Sequence, residues 1–212
     1  MKRLPHLLAF LFLVGAWVLA LIAYPHMPES IASHWGAAGE ANGYVNRFWG
    51  TFFPPILMTG LYLLFVLVPN IDPRRENIRK FRRSYDYFLA VLLFFLLCIS
   101  GYSLAWNLGH HISMSIFLSP TMAILFFAVG TLTGNAEPNY MIGIRTPWTL
   151  SSDTVWRKTH HLGGRAFQIA SLFCLLGTFF PKASLWFILL PILAATLLAT
   201  IASYVYYVTE SR

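Results

Sequence analysis

The sequence predicts an all-α fold: a polytopic membrane helix bundle with six transmembrane helices and both termini in the cytoplasm. Three observations predict it. Of the 212 residues, 57% are hydrophobic and only 11% are charged, whereas a soluble domain carries roughly a quarter charged residues. The mean hydropathy is +0.61. The apolar residues also gather into six runs of membrane-spanning length, separated by polar connectors. In lipid the backbone has to satisfy its own polar groups, so such runs are read as helices.

The first run extends from Leu4 to Tyr24. At ~1.5 Å per residue it covers ~31 Å, enough to span. A signal peptide cleaved near Val18-Leu19-Ala20 is the alternative. An uncleaved helix is preferred because five spans of the same style follow. Residues 25–49 form a loop that prolines and glycines keep from becoming a long helix. Within it Asn42-Gly43 reads as the tight turn of a small hairpin. Trp35, Tyr44, Phe48 and Trp49 suit a membrane–water interface.

The second span covers about 52–68, with Pro54-Pro55 near its start, where proline is tolerated, and Pro69 as its end. The 70–84 loop is the most basic in the chain. A third span follows at about 85–108, with Asp86 in its first turn facing the positive end of the helix dipole. Gly109-His110-His111 turns the chain into a fourth span at about 112–133. There Gly130 and Gly134 form a small-xxx-small pair that lets helices approach closely. The simpler reading is that Gly134-Asn135 caps the helix. A polar loop at 135–164 leads into a fifth span at about 165–180. After Pro181-Lys182-Ala183 the sixth span covers about 185–207. Cys98 and Cys174 lie deep in apolar runs and read as packing residues.

Lysine and arginine set the orientation. Thirteen of the 15 stand on the N-terminal side: Lys2, Arg3, Arg74, Arg75, Arg79, Lys80, Arg82, Arg83, Arg145, Arg157, Lys158, Arg165 and Arg212. The positive-inside rule places that side in the cytoplasm and the 25–49 loop outside. The protein is thus expected in the cell's inner (plasma) membrane. Two parts are expected: residues 1–84, with two spans and the external loop, and residues 85–212, with four spans and the cytoplasmic 135–164 loop.

The net charge of +7 would fit nucleic acid on a soluble chain. Here the basic residues sit in loops where orientation explains them, so no direct nucleic-acid partner is expected. The spans hold no ionisable group at mid-depth, which counts against a pump or proton-coupled transporter. His160 and His161 are adjacent and would point about 100° apart on a helix, and no HExxH pattern occurs. His26, His34, Glu29 and Glu40 could form an external metal or peptide site. Ordering of the loop by His34-Trp35 is the simpler role. No catalytic residue, metal or cofactor is assigned.

The 135–164 loop carries the strongest signal for function. Gly143 and Pro147 restrict the backbone around Arg145, whose guanidinium could grip a carboxylate or phosphate bidentately. Ser151 or Ser152 reads as an N-cap with Asp153 in the first turn. From there Val155, Trp156, Thr159 and Leu162 share one face of a short amphipathic helix along the inner membrane surface. Trp156 and His160, four apart, would stack. On the residues alone the simplest reading is an interfacial helix anchored by Trp148 and Trp156. Arg145, Arg157 and Lys158 would then face lipid phosphates.

Asn139-Tyr140, Ile142 through Leu150, Ser151, Val155-Trp156, Lys158-Thr159-His160 and Gly163 together resemble the SdpI family of bacterial membrane immunity proteins. Residues 15–65, with Pro25, Pro28, His34-Trp35, Gly39, Asn42-Gly43-Tyr44 and Pro54, resemble the uncharacterised membrane domain that often precedes the SdpI motif. The chain departs from these patterns at Asn42, often Asp, and at Thr154, often acidic. The resemblance implies an immunity and receptor protein that guards against a secreted SdpC-like peptide toxin. It also implies signalling by drawing an SdpR-like repressor to the membrane. The partners expected are the lipid bilayer, a toxin outside and a repressor inside. The expected ligand-binding residues are Asn139, Tyr140, Gly143, Arg145, Thr146, Pro147, Trp148, Trp156 and His160 inside, with His34 and Trp35 outside. The rival readings are a small transporter or permease, and a membrane enzyme using His160, Arg145 and Asp153 or Glu137 on a headgroup-like substrate.

Overall fold

The computed structural model describes residues 4–36 and 39–210. Lys2, Arg3 and Arg212, which entered the orientation count, lie outside them. Among the described residues six helices are long and apolar enough to cross a membrane. The order is α1 (Leu4–Ala23), β1 (Ser30–Trp35), β2 (Ala41–Asn46), α2 (Arg47–Ile71), α3 (Arg75–Lys80), α4 (Arg82–Asn107), α5 (Met114–Asn135), α6 (Pro147–Ser151), α7 (Asp153–Leu176) and α8 (Ser184–Glu210). The protein is a multi-pass membrane helix bundle, as its composition predicts.

Lipid is as apolar as leucine, so bulk hydrophobicity cannot pull these helices together; close packing of small residues does. In α1 the inward positions are Ala9, Ala16 and Ala20, while Leu7, Leu11 and Ile22 face outward. Ala9 and Ala16 meet Met58 of α2 and Leu89 and Leu93 of α4 in one cluster. In α8, Ala195, Ala199, Ala202 and Ser203 are buried, and Leu193 and Leu197 are exposed. Two sets of three result: α1, α2 and α4 pack together, α7 packs against α5 and α8, and α4 against α5 joins them.

The closest approach is at the α5–α7 crossing. A Cβ added to Gly164 would lie 2.6 Å from Gly134 Cα and 2.8 Å from the Gly130 carbonyl oxygen. Gly134 is therefore a packing residue. The capping reading fails, because α5 continues to Asn135 and ends on Ala136 in extended backbone. Gln168 of α7 adds a hydrogen bond, its Nε2 donating to Thr131 Oγ1 at 3.2 Å.

Polar contacts tie the helix ends. His6 Nε2 and Arg82 Nε both lie against Asp86 Oδ1, at 3.0 and 2.6 Å. Asp86, itself buried, lies just past the first turn of α4, so its partners are these two half-buried side chains and not the helix dipole. Arg74 bonds Asp153 at 2.8 Å, and Ser152 donates to Glu210 at 2.6 Å. The starts of α1, α4 and α7 and the end of α8 thus share one face, here termed the terminal face. On the opposite face lies the two-stranded antiparallel sheet β1–β2.

Several boundaries differ from the sequence reading. Helix α2 continues past Pro69 to Ile71. A proline there cannot donate to the Phe65 carbonyl one turn back. Tyr85 Oη donates to that carbonyl instead, at 2.9 Å, so the helix is not forced to stop. The predicted hairpin exists, but Asn42-Gly43 lies within β2; Gly39, at φ 88°, belongs to the 36–40 connection that joins the strands. The surface helix and fifth span are one continuous helix, α7, starting at Asp153.

Candidate functional site

The 136–146 segment on the terminal face is folded around Asn139, which is buried. Its Oδ1 accepts from the Met141 and Ile142 amides at 2.9 and 2.6 Å. Its Nδ2 donates to the Glu137 and Ile142 carbonyls at 2.8 and 3.0 Å. A side-chain amide offers two donors and an acceptor oxygen with two lone pairs, and here all are used.

Two residues from between α2 and α3 and from α3 hold this turn from outside. Asp72, also buried, accepts from the Tyr140 amide at 3.0 Å and from the Arg74 amide at 2.7 Å. Asn77 donates to the Pro138 carbonyl at 2.8 Å. Arg74 places its guanidinium 5.5 Å from the centroid of the Tyr140 ring while bonded to Asp153. That bond pushes the Arg74 guanidinium above its already high ordinary pKa.

Helix α7 holds the turn from beneath. Trp156 and His160 stack with centroids 4.0 Å apart and planes 13° apart, as their spacing predicts. The Trp156 indole donates to the Ala136 carbonyl at 2.8 Å. His160 Nε2 accepts from the Ile144 amide at 2.9 Å, and its Nδ1 lies 2.8 Å from the Trp156 carbonyl. An acceptor role at Nε2 requires the neutral ring with its proton on Nδ1, donating to Trp156. Both nitrogens are therefore committed within the protein. Gly143, at φ 119°, sits over this pair. A Cβ there would run into His160 Nε2 and come within 3.3 Å of Trp156 Cζ2, so glycine is required by space as well as by φ.

After Ile144 the chain enters α6, a short helix missing from the sequence reading. Thr146 is its N-cap, accepting from the Thr149 amide at 3.2 Å, and Thr149 Oγ1 accepts in return from the Thr146 amide at 2.9 Å. Pro147 occupies N1, where its missing N–H costs nothing. Thr146 also donates to Ser203 of α8 at 3.1 Å, and Trp148 packs on Tyr204 at 5.1 Å. Ser152 caps α7, accepting from the Val155 amide at 3.2 Å.

The expected site residues thus separate into an inner and an outer group. Asn139, Trp156 and His160 are buried, with Gly143 over them. Trp156 is 1% exposed, so it is not a lipid-interface anchor, and neither it nor His160 can be a contact surface in this arrangement. Tyr140 is exposed, and so is Arg145, which has no hydrogen bond, ion pair or ring contact among the described residues. The sequence reading overlooked Asp72 and Asn77. Asp72 could have been noticed as one of only two acids, with Glu76, in a strongly basic loop.

At the opposite face, Asn107 near the end of α4 clamps the hairpin. It accepts from the Ala32 amide at 2.8 Å and donates to the Ala32 carbonyl at 3.1 Å. His34 Nδ1 lies 2.5 Å from Asn42 Oδ1. Trp35 packs edge-on against Tyr102 and Trp106 at 5.3 and 5.9 Å. Its indole N–H is shielded from water and has no acceptor among the described residues. His34 and Trp35 also line a cleft of ≈ 310 Å³ whose other wall is Met114, Leu118, Leu185 and Ile188.

A graded pair of variants tests the His160 geometry. His160→Phe keeps the stack but leaves the Ile144 amide without its acceptor, and is expected to cost about 1–3 kcal/mol. His160→Gln supplies an acceptor oxygen and should recover part of that loss. Thermal melts of the solubilised protein measure both; equal stability of the two variants would refute the assignment.

Residues 135–207 match the SdpI/YfhL protein family, and residues 11–59 match a domain of unknown function (DUF1648). Over 203 residues, 95% of this chain and 95% of the relative, the chain is 24% identical to the Immunity protein SdpI of Bacillus subtilis (strain 168). No solved structure gives a significant match. These findings bear out the resemblance read from residues 139–165 and 15–65.

Proposed function

On the premise that this chain is of the SdpI type, we propose that it is a membrane immunity protein and receptor. It protects its cell from a secreted SdpC-like peptide toxin and signals by holding an SdpR-like repressor at the membrane. The observation that carries this reading is the end-to-end match to a relative named an immunity protein, spanning both of the chain's recognisable regions. The positive-inside rule assigns the terminal face to the cytoplasm and the hairpin to the outside. The toxin is met by the cleft beside His34 and Trp35, whose apolar wall of Met114, Leu118, Leu185 and Ile188 suits a peptide's apolar side chains. The repressor is met by Arg145 and Tyr140, held outward by the Asn139–Trp156–His160 framework.

Because the two surfaces lie on opposite faces, their loss should separate. Trp35→Ala removes the indole that lines the cleft, and is expected to lower survival of a sensitive host challenged with the toxin. Arg145→Ala is expected to leave survival intact and abolish recruitment of a fluorescent repressor fusion to the membrane. Protein level is followed by immunoblot in both. No protection by the unaltered chain would overturn the immunity reading. Solute flux in proteoliposomes would favour the transporter reading instead.

A further inference from the structure

A cavity on the terminal face, ≈ 620 Å³ in volume, lies where α1 and α4 begin and is lined by Pro5, Arg79, Lys80, Arg82, Arg83, Asp86 and Tyr87. It shares no residue with the 136–146 site. Four cations border it, but two are neutralised. Arg82 is bound to Asp86 at 2.6 Å, with His6 Nε2 2.9 Å from its guanidinium. Arg79 is bound to Glu76 at 2.7 Å. Lys80 donates only to the neutral Asn77, at 2.9 Å, and Arg83 touches only the Tyr87 ring, 5.7 Å from its centroid, among the described residues. Two uncompensated positive charges thus flank a hollow that has an aromatic and a proline wall.

We propose that this cavity binds the phosphate of an anionic phospholipid headgroup, with Lys80 and Arg83 as its ligands. The chemistry fits in three respects. Uncompensated lysine and arginine attract phosphate oxygens with charge-assisted hydrogen bonds. The Asp86 pair fixes Arg82 without cancelling the other two cations. The cavity also opens at the first turns of two membrane-crossing helices, at headgroup depth, where basic pockets take anionic lipids. Pro5 and Tyr87 supply apolar surface that suits the glycerol and upper acyl region, which a free phosphate would leave unused.

The test uses the full chain in a neutral detergent, melted with added phosphatidylglycerol or phosphatidylcholine at equal mole fraction. Phosphatidylglycerol is expected to raise the melting temperature and phosphatidylcholine is not. The variant Lys80→Gln/Arg83→Gln should lose about ten-fold or more in apparent affinity for phosphatidylglycerol. Both side chains are exposed, so folding is not at stake; Arg83→Gln alone serves as a milder second variant and should lose part of the affinity. The control Arg75→Gln/Arg165→Gln removes equal charge from exposed positions outside the cavity and should respond like the unaltered protein. A full response in both cavity variants, or an equal loss in the control, would overturn the site. Inorganic phosphate alone reproducing the shift would overturn its lipid source.

Discussion

Gly164→Val is expected to remove folded protein from the membrane fraction, and Gly164→Ala to lower its stability by about 1–3 kcal/mol. The added Cβ would sit 2.6 Å from Gly134 Cα and 2.7 Å from Gly134 N. These are backbone atoms inside a helix and cannot rotate aside. To admit a methyl group α5 and α7 must separate, and every contact along that crossing would loosen. Gly101 in α4 is the control, because a Cβ there would meet nothing within 4 Å. Gly101→Ala should be neutral or stabilise by about 0.4–1 kcal/mol through the unfolded chain. Thermal melting of the solubilised variants measures both; a Gly164→Ala variant as stable as Gly101→Ala would show that the crossing is not held by close approach.

Asn139→Ala is expected to unfold the 136–146 turn and cost about 3 kcal/mol. It strips the acceptor from the Met141 and Ile142 amides and the donor from the Glu137 and Ile142 carbonyls. Each buried group left unpaired costs about 1–3 kcal/mol, though some will find water once the turn opens. Asn139→Asp keeps the acceptors but faces a carboxylate with two carbonyl oxygens in a buried position, so it should not rescue. The readouts are melting temperature and protease cleavage between residues 137 and 145. A turn that stays uncut in Asn139→Ala, with unchanged melting, would refute its role as the organising side chain. On the function proposed above, the same variant should also lose repressor recruitment with Arg145 still present, because the turn that displays Arg145 has opened.

The number and approximate places of the six spans were legible because the bilayer imposes its own thickness on any segment crossing it. The misreadings cluster where a helix end depends on a distant partner. Pro69 is a sound local stop signal, yet the carbonyl it orphans is satisfied by Tyr85 of another helix, and α2 continues. Gly134-Asn135 is an equally sound cap, yet Gly164 needs Gly134 for passage. In the motif, the stacking of Trp156 and His160 follows from their spacing on one helix. Which way that face points does not, since an amphipathic helix looks the same in sequence whether its apolar side meets lipid or protein.

What the sequence determined by itself is the class of molecule, the helix count and the position of the motif shared with the SdpI/YfhL family. These depend on local quantities: hydropathy over some twenty residues, and a run of glycine, proline, arginine and tryptophan that lipid solubility does not require. Tertiary structure alone decided how that motif is arranged. It buried Asn139, Trp156 and His160 as a framework and left Tyr140 and Arg145 as its exposed product. It also recruited Asp72, some 68 residues away, to close the turn. The physical reason is that a buried polar group must find a partner somewhere in space, and nothing in the order of residues along the chain says where that partner will be.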